Sequence, residues 1–266
     1  MTSVARLYDS EIHGQYYDPS QRAVVPARYR AIVRALRACS PVPMGPAIEI
    51  GSESPLIPQY WTHELGIPES AVDLVEVSTP SVDLLASSGF RAKLADVSTD
   101  PLPFSSSSVR IVVMSEVLEH LLDPDHALDE IRRVLRPDGL LALTTPNLAG
   151  WFNRVALPLG WQPLFTETGT QWVFGRGPFF PVSRPVGHLR VLTTRALLAL
   201  LGSHGLRPRR VEGLGLEPSL VPSAGLRLLD GAFARFPRMA SGVLVIASPG
   251  GNSSAPPTPS AREERG

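Results

Sequence analysis

AIEIGSESP (47–55), VDLVEVS (72–78) and KLADVS (93–98) are three short apolar runs, each ending in an acid or a small residue. A parallel strand buried on both faces reads this way when its carboxyl end carries a ligand group. MSEVLEHLLDP (114–124) and RVLRPDGLLALTTPN (133–147) continue the series. In a doubly wound sheet this order sets Gly51, Glu76 and Asp96 at the carboxyl edges of adjacent strands, where nucleotide-like ligands bind.

Outward from these runs, strands are expected at 47–50, 72–77, 91–95, 110–114 and 140–144, with RPDG as the turn leading into the last. Helices are expected at 56–65 and 127–135, and this alternation argues for βαβ units. Val25, Tyr29, Ile32, Val33 and Leu36 recur at helical spacing, so 24–38 reads as an amphipathic helix. With the polar, Tyr-rich start it forms an N-terminal helical cap over 1–40, broken by PVPMGP before the α/β domain at 41–249. After Asn147 the character changes. Residues 151–180 hold three of the four tryptophans and five of the nine phenylalanines, among Gly and Pro. That is too irregular for a regular element and too apolar for a solvated loop, so 148–186 reads as an aromatic lid insertion over the strand ends. Helical periodicity resumes from Thr194. Strands are expected at 208–213 and 241–248, with a helix near 227–236 between them. The low-complexity stretch 250–266 is expected to be a disordered tail.

Composition narrows the function. The 266 residues suffice for one α/β domain with a sizeable core plus a lid or tail. Net charge is zero and there is no concentrated basic footprint, which argues against a nucleic-acid partner. The single cysteine, Cys39, rules out an internal disulfide and suits a reducing compartment. The absence of a long apolar run or an apolar leader points away from a membrane and toward a cytoplasmic protein.

The ordered set of runs, with EVLEH (116–120) and RPDG (136–139), resembles the class I S-adenosylmethionine-dependent methyltransferases, in particular their small-molecule branch. The resemblance covers roughly 28–249. It implies a Rossmann-like seven-stranded sheet, mostly parallel, with helices on both faces and strand seven antiparallel. It implies S-adenosyl-L-methionine as cofactor and a small organic acceptor, apolar or aromatic, methylated at oxygen first and at nitrogen or carbon as alternatives. The family's GxGxG loop reads Gly51-Ser52-Glu53-Ser54-Pro55 here, so two glycines are missing. Gly51 still permits a sharp turn and close backbone approach, and Pro55 suits a first helical position.

The resemblance assigns cofactor contacts to Glu49, Gly51 and Ser52 on the first strand and loop. It gives Glu76, with Val77, to the ribose hydroxyls. Asp96, with Val97, goes to the adenine amino group, and Ser115 and Glu116 go beside the methionine part. Each acid has a plainer reading: Glu76 as a surface acid near a helix start that Ser78 caps better, Asp96 as a turn former. A lone acid buried in a strand, as Glu49 would be, requires a partner. His120 and His188 are the candidate catalytic bases, since imidazole titrates near neutrality; His120 reads equally as a structural residue of its loop. No metal site is expected. Two rivals remain: a non-catalytic protein of the same fold, supported by the eroded loop, and an NAD-dependent oxidoreductase, which lacks GxGxxG and leaves EVLEH and RPDG unexplained.

Overall fold

A computed structural model describes residues 25–39, 45–52, 54–178, 183–217, 220–221 and 223–250. The first 24 residues of the expected cap, Glu53, part of the expected lid (179–182) and the tail from 251 lie outside these. The described elements run α1 (Ala27–Ala38), β1 (Ala47–Ile50), α2 (Leu56–Leu65), β2 (Val72–Glu76), α3 (Thr79–Ser87), β3 (Arg91–Leu94), β4 (Val109–Ser115), α4 (Pro124–Val134), β5 (Leu135–Pro146), α5 (Trp151–Ala156), α6 (Thr194–Ser203), β6 (Leu206–Leu214), α7 (Ala224–Phe233) and β7 (Gly242–Pro249).

The strands form a seven-stranded sheet in the order β3-β2-β1-β4-β5-β7-β6. β1 to β5 pair in parallel, and β7 runs antiparallel between β5 and β6. The order reverses between β1 and β4, which makes their carboxyl ends the switch point where such sheets bind ligands. Alternation along the strands splits the core in two. Ile48, Ile50, Val112, Met114, Val243 and Val245 face α4 and α6, whose Leu128, Ile131, Leu197 and Leu201 cover them. Ala47, Ile111, Val113, Leu244 and Ile246 face α1, α2 and α3 through Ile32, Leu36, Trp61 and Leu85. Both faces are dry, hence the unbroken apolar runs of the central strands.

Two local expectations are corrected. β5 begins at Leu135, so the RPDG stretch lies inside a strand and does not deliver one. Pairing jumps from Val109↔Leu135 to Ile111↔Leu140, leaving Arg136–Gly139 as an irregularity in the ladder. Arg110 and Arg136 both reach the Asp138 carboxylate, at 2.6 and 3.3 Å. The segment after Asn147 also contains a regular element, α5. Its Phe152 and Ala156 pack with Leu164, against Trp151, Trp161, Phe165 and Leu216, and Trp151 stacks on Phe233 of α7 at 5.3 Å. Trp172 and Phe174 are exposed.

At the end of α6, His204 sits between two acids of α4. Its Nδ1 is 2.6 Å from an Asp129 oxygen and its Nε2 2.8 Å from an Asp125 oxygen. Carboxylates only accept, so both nitrogens donate and the ring is imidazolium. Partial burial pulls its pKa down, but the bonds to Asp129 and Asp125 outweigh it and the net direction is up. A raised folded-state pKa means the contribution is complete below the unfolded value of about 6.5 and fades as pH rises through the folded one. The melting-temperature deficit of His204→Ala should therefore be largest below the unfolded value of about 6.5 and shrink as pH rises above it. A deficit independent of pH would assign His204 a packing role only.

Candidate active site

The first turn of the site follows β1. Gly51 has φ +75°, and its N–H donates to Val75 O of β2 at 3.0 Å. Any side chain there would place a Cβ 2.5 Å from Val117 Cγ2, a residue of the EVLEH loop. The glycine thus lets two loops at the carboxyl edge close on each other. Next along, the Ser52 N–H donates to the Glu76 carboxylate, which ties the β1 loop to the end of β2. The Ser52 hydroxyl is buried and has no hydrogen-bond partner among the described residues. Such an orphan in a loop needs an explanation, and a polar ligand over the loop supplies one.

Glu49 is fully buried in β1. One carboxylate oxygen accepts from Tyr29 Oη of α1 at 2.8 Å, the other from Trp61 Nε1 of α2 at 2.7 Å. The partner this acid requires is therefore a pair of aromatic donors, and Glu49 clamps two helices to the central strand beneath the loop. Val77 follows Glu76 half-buried, and Ser78 caps α3 by accepting from Ser81 N at 3.3 Å. Asp96, past the end of β3, accepts from Ser98 N at 3.0 Å and shapes the turn holding buried Val97.

At the end of β4, Ser115 Oγ lies 3.1 Å from Arg28 Nε of α1 and 2.9 Å from Thr144 Oγ1 of β5. Glu116 adopts φ +56°, a conformation that persists in a non-glycine residue only where its surroundings impose it. Thr144 does so twice: its carbonyl accepts from Glu116 N at 3.0 Å, and its hydroxyl donates to Glu116 Oε1 at 2.8 Å. Beside these residues is a cleft with mainly apolar walls from Pro146, Phe165, Leu214 and Leu216, and with Arg28, Glu116 and Glu217 as its charges.

The structure also assembles what the sequence separates. Glu119 is buried, and Thr145 Oγ1 donates to its Oε2 at 3.0 Å, while Oε1 has no hydrogen-bond partner among the described residues. Burial, then the charge of Glu116, pushes its pKa well up. His120 Nδ1 is 3.1 Å from Gly187 O, and His188 Nδ1 is 2.8 Å from Phe165 O. A carbonyl only accepts, so each Nδ1 carries a proton. The two rings meet edge to face at 4.7 Å, and His188 Nε2 is 4.0 Å from Glu119 Oε1. Burial, then the neighbouring His188, pushes His120 down to about 4, so its ring is neutral at pH 7. The sequence expected both histidines at the site; it did not pick out Glu119 as their partner, although the third-residue spacing from Glu116 in EVLEH was available as a signal.

A methyltransferase-domain family profile matches residues 49–143, the stretch from Glu49 through β5. Over this stretch the chain is similar to the class I S-adenosylmethionine-dependent methyltransferase family. S-adenosylmethionine is the cofactor of that family, and the orphaned Ser52 hydroxyl, the Glu76 carboxylate and the close turn at Gly51 fit it. Among curated proteins the domain is similar to a Mycobacterium tuberculosis protein named as an S-adenosylmethionine-dependent methyltransferase, at 39% identity over 79 residues. That match spans 30% of this chain and 25% of the relative. Among solved structures, the methyltransferase complexed with the Trm112 methyltransferase activator of Haloferax volcanii has a TM-score of 0.57 at 15% identity, covering 94% of this chain and 99% of that one. The CcbJ methyltransferase of Streptomyces caelestis has a TM-score of 0.55 at 16% identity, covering 93% and 96%. Both likenesses extend the methyltransferase fold through β6 and β7. No helix of the described residues is long and apolar enough to cross a membrane.

Proposed function

We propose that this protein transfers a methyl group from S-adenosylmethionine to a small organic acceptor with an apolar or aromatic body, at oxygen. The observation that carries the reading is the convergence at one sheet edge of the Gly51–Ser52 loop, Glu76, Asp96 and Glu116, with the cleft beside them. When bound, S-adenosylmethionine supplies a methyl group already activated by the sulfonium charge. The protein's own work is then alignment of the acceptor and management of a proton. In this reading Ser52 and Glu76 hold the polar edge of the cofactor, Asp96 and Val97 its adenine end, and Ser115 and Glu116 its amino-acid end. Phe165, Leu214 and Leu216 receive the acceptor's apolar body. The Glu119–His120–His188 cluster, on the side covered by the 183–190 segment, governs the proton of a hydroxyl acceptor.

Incubation with radiolabelled S-adenosylmethionine and a panel of phenols, hydroxy acids and amines tests this directly. Label should pass to hydroxyl compounds, and label on amines alone would move the proposal to nitrogen. Binding of the cofactor without transfer to any acceptor would favour the non-catalytic alternative, whose support is the loss of two loop glycines.

A further inference from the structure

Glu119, His120 and His188 each offer one ligand atom, and these atoms all lie within 4.8 Å of one another. Two nitrogens and one carboxylate oxygen form a donor set characteristic of divalent transition-metal sites. The geometry points to a site for one divalent transition-metal ion, of the zinc or manganese kind, held by Glu119, His120 and His188 beside the methyl-transfer cleft.

Three observations support it. First, the Glu119 Oε1 that faces His188 is buried without a hydrogen-bond partner among the described residues; a cation would remove that deficit. Second, both imidazoles are oriented as ligands are. His120 Nδ1–H donates to Gly187 O and His188 Nδ1–H to Phe165 O, and His188 thereby presents its Nε2 to Glu119 Oε1 at 4.0 Å. Backbone carbonyls in this outer position are what metal-binding histidines usually have. Third, the loops that carry the ligands are tied together independently of any ion. Leu189 N and Arg190 N donate to Glu119 O at 2.8 and 3.1 Å, and Arg190 reaches Leu121 O at 2.6 Å. Thr145 holds the second Glu119 oxygen. Ligand bonds of about 2.0–2.2 Å put donor pairs roughly 3–3.5 Å apart, so the side chains close by about an ångström around the ion.

Binding of the ion does not depend on the methyl-transfer reading. Its role does: on the acceptor side of the cleft, a divalent cation would hold an acceptor oxygen and favour its deprotonated form. The His120–His188 pair would then act as ligands and not as a general base.

The test uses the full chain, stripped with EDTA and titrated calorimetrically with Zn2+ and separately with Mn2+, with neither S-adenosylmethionine nor acceptor present. One ion per chain is expected for at least one of the two metals. Glu119→Gln and His188→Ala should each weaken it by about tenfold or more, in line with the loss of a ligand. His204→Ala, which removes the surface histidine between Asp125 and Asp129, should leave it unchanged. The wild-type melting temperature should rise with the ion, and those of the two site variants should not. If His188→Ala does not fold, His188→Gln gives the same readout with the imidazole gone. Binding that survives both site substitutions, binding abolished by His204→Ala, or no wild-type binding at about 1 mM ion would overturn the site. Because no methyl donor is in the cell, that failure is separable from failure of the methyltransferase reading.

Discussion

Glu49→Ala should destabilise the fold by about 3 kcal/mol, which corresponds to roughly 6–12 °C in melting temperature for a domain of this size. The carboxylate is the shared acceptor of Tyr29 Oη and Trp61 Nε1, and both aromatic rings are buried. Its loss strands two donors in the dry layer between the sheet and α1–α2. Leaving a buried donor unsatisfied costs about 1–3 kcal/mol each, beyond the lost bond itself. Glu49→Gln should fall between: its amide oxygen still accepts from one ring, while its NH2 opposes the other. A Glu49→Ala variant within 1 °C of wild type would show that these bonds are not what secures the helices. Cofactor affinity in Glu49→Gln, measured well below its melting temperature, then reports whether the acid has any role beyond the clamp.

Glu76→Ala is expected to raise the dissociation constant for S-adenosylhomocysteine by one to two orders of magnitude. In the proposed role, a carboxylate at the end of β2 would make charge-assisted bonds worth about 1.5–3 kcal/mol to a ribose edge. In the structure it also accepts the Ser52 N–H, so substitution loosens the loop as well as the ligand. Glu76→Gln separates the two effects. Its amide oxygen can keep the Ser52 bond, and the affinity still lost measures the contact to the ligand. Unchanged affinity in a folded Glu76→Ala variant would remove Glu76 from the site.

The seven-stranded sheet was legible in the chain because burial on both faces leaves its central strands as continuous apolar runs, and because each run ends in a residue suited to a strand end. The antiparallel last strand came from the family resemblance, since no periodicity distinguishes it. RPDG reads as a turn because Pro, Asp and Gly are turn formers locally; that pairing of β5 with β4 already begins before it, at Leu135, and that these four residues interrupt the ladder depends on the neighbouring strand. The candidate site residues were legible where they sit at strand ends. The partners of Glu49 were hidden because Tyr29 and Trp61 lie on helices whose docking depends on tertiary packing. The meeting of Glu119 with His188 was hidden too, since it depends on the return of the long insertion after β5.

Calorimetric titration of the full chain with S-adenosylhomocysteine bears most directly on the central claim, that the carboxyl edge around Gly51, Ser52 and Glu76 is a cofactor site. One molecule should bind per chain, with the affinity reduced in Glu76→Ala. Absence of binding at about 1 mM ligand, a free energy no better than about −4 kcal/mol, would contradict it.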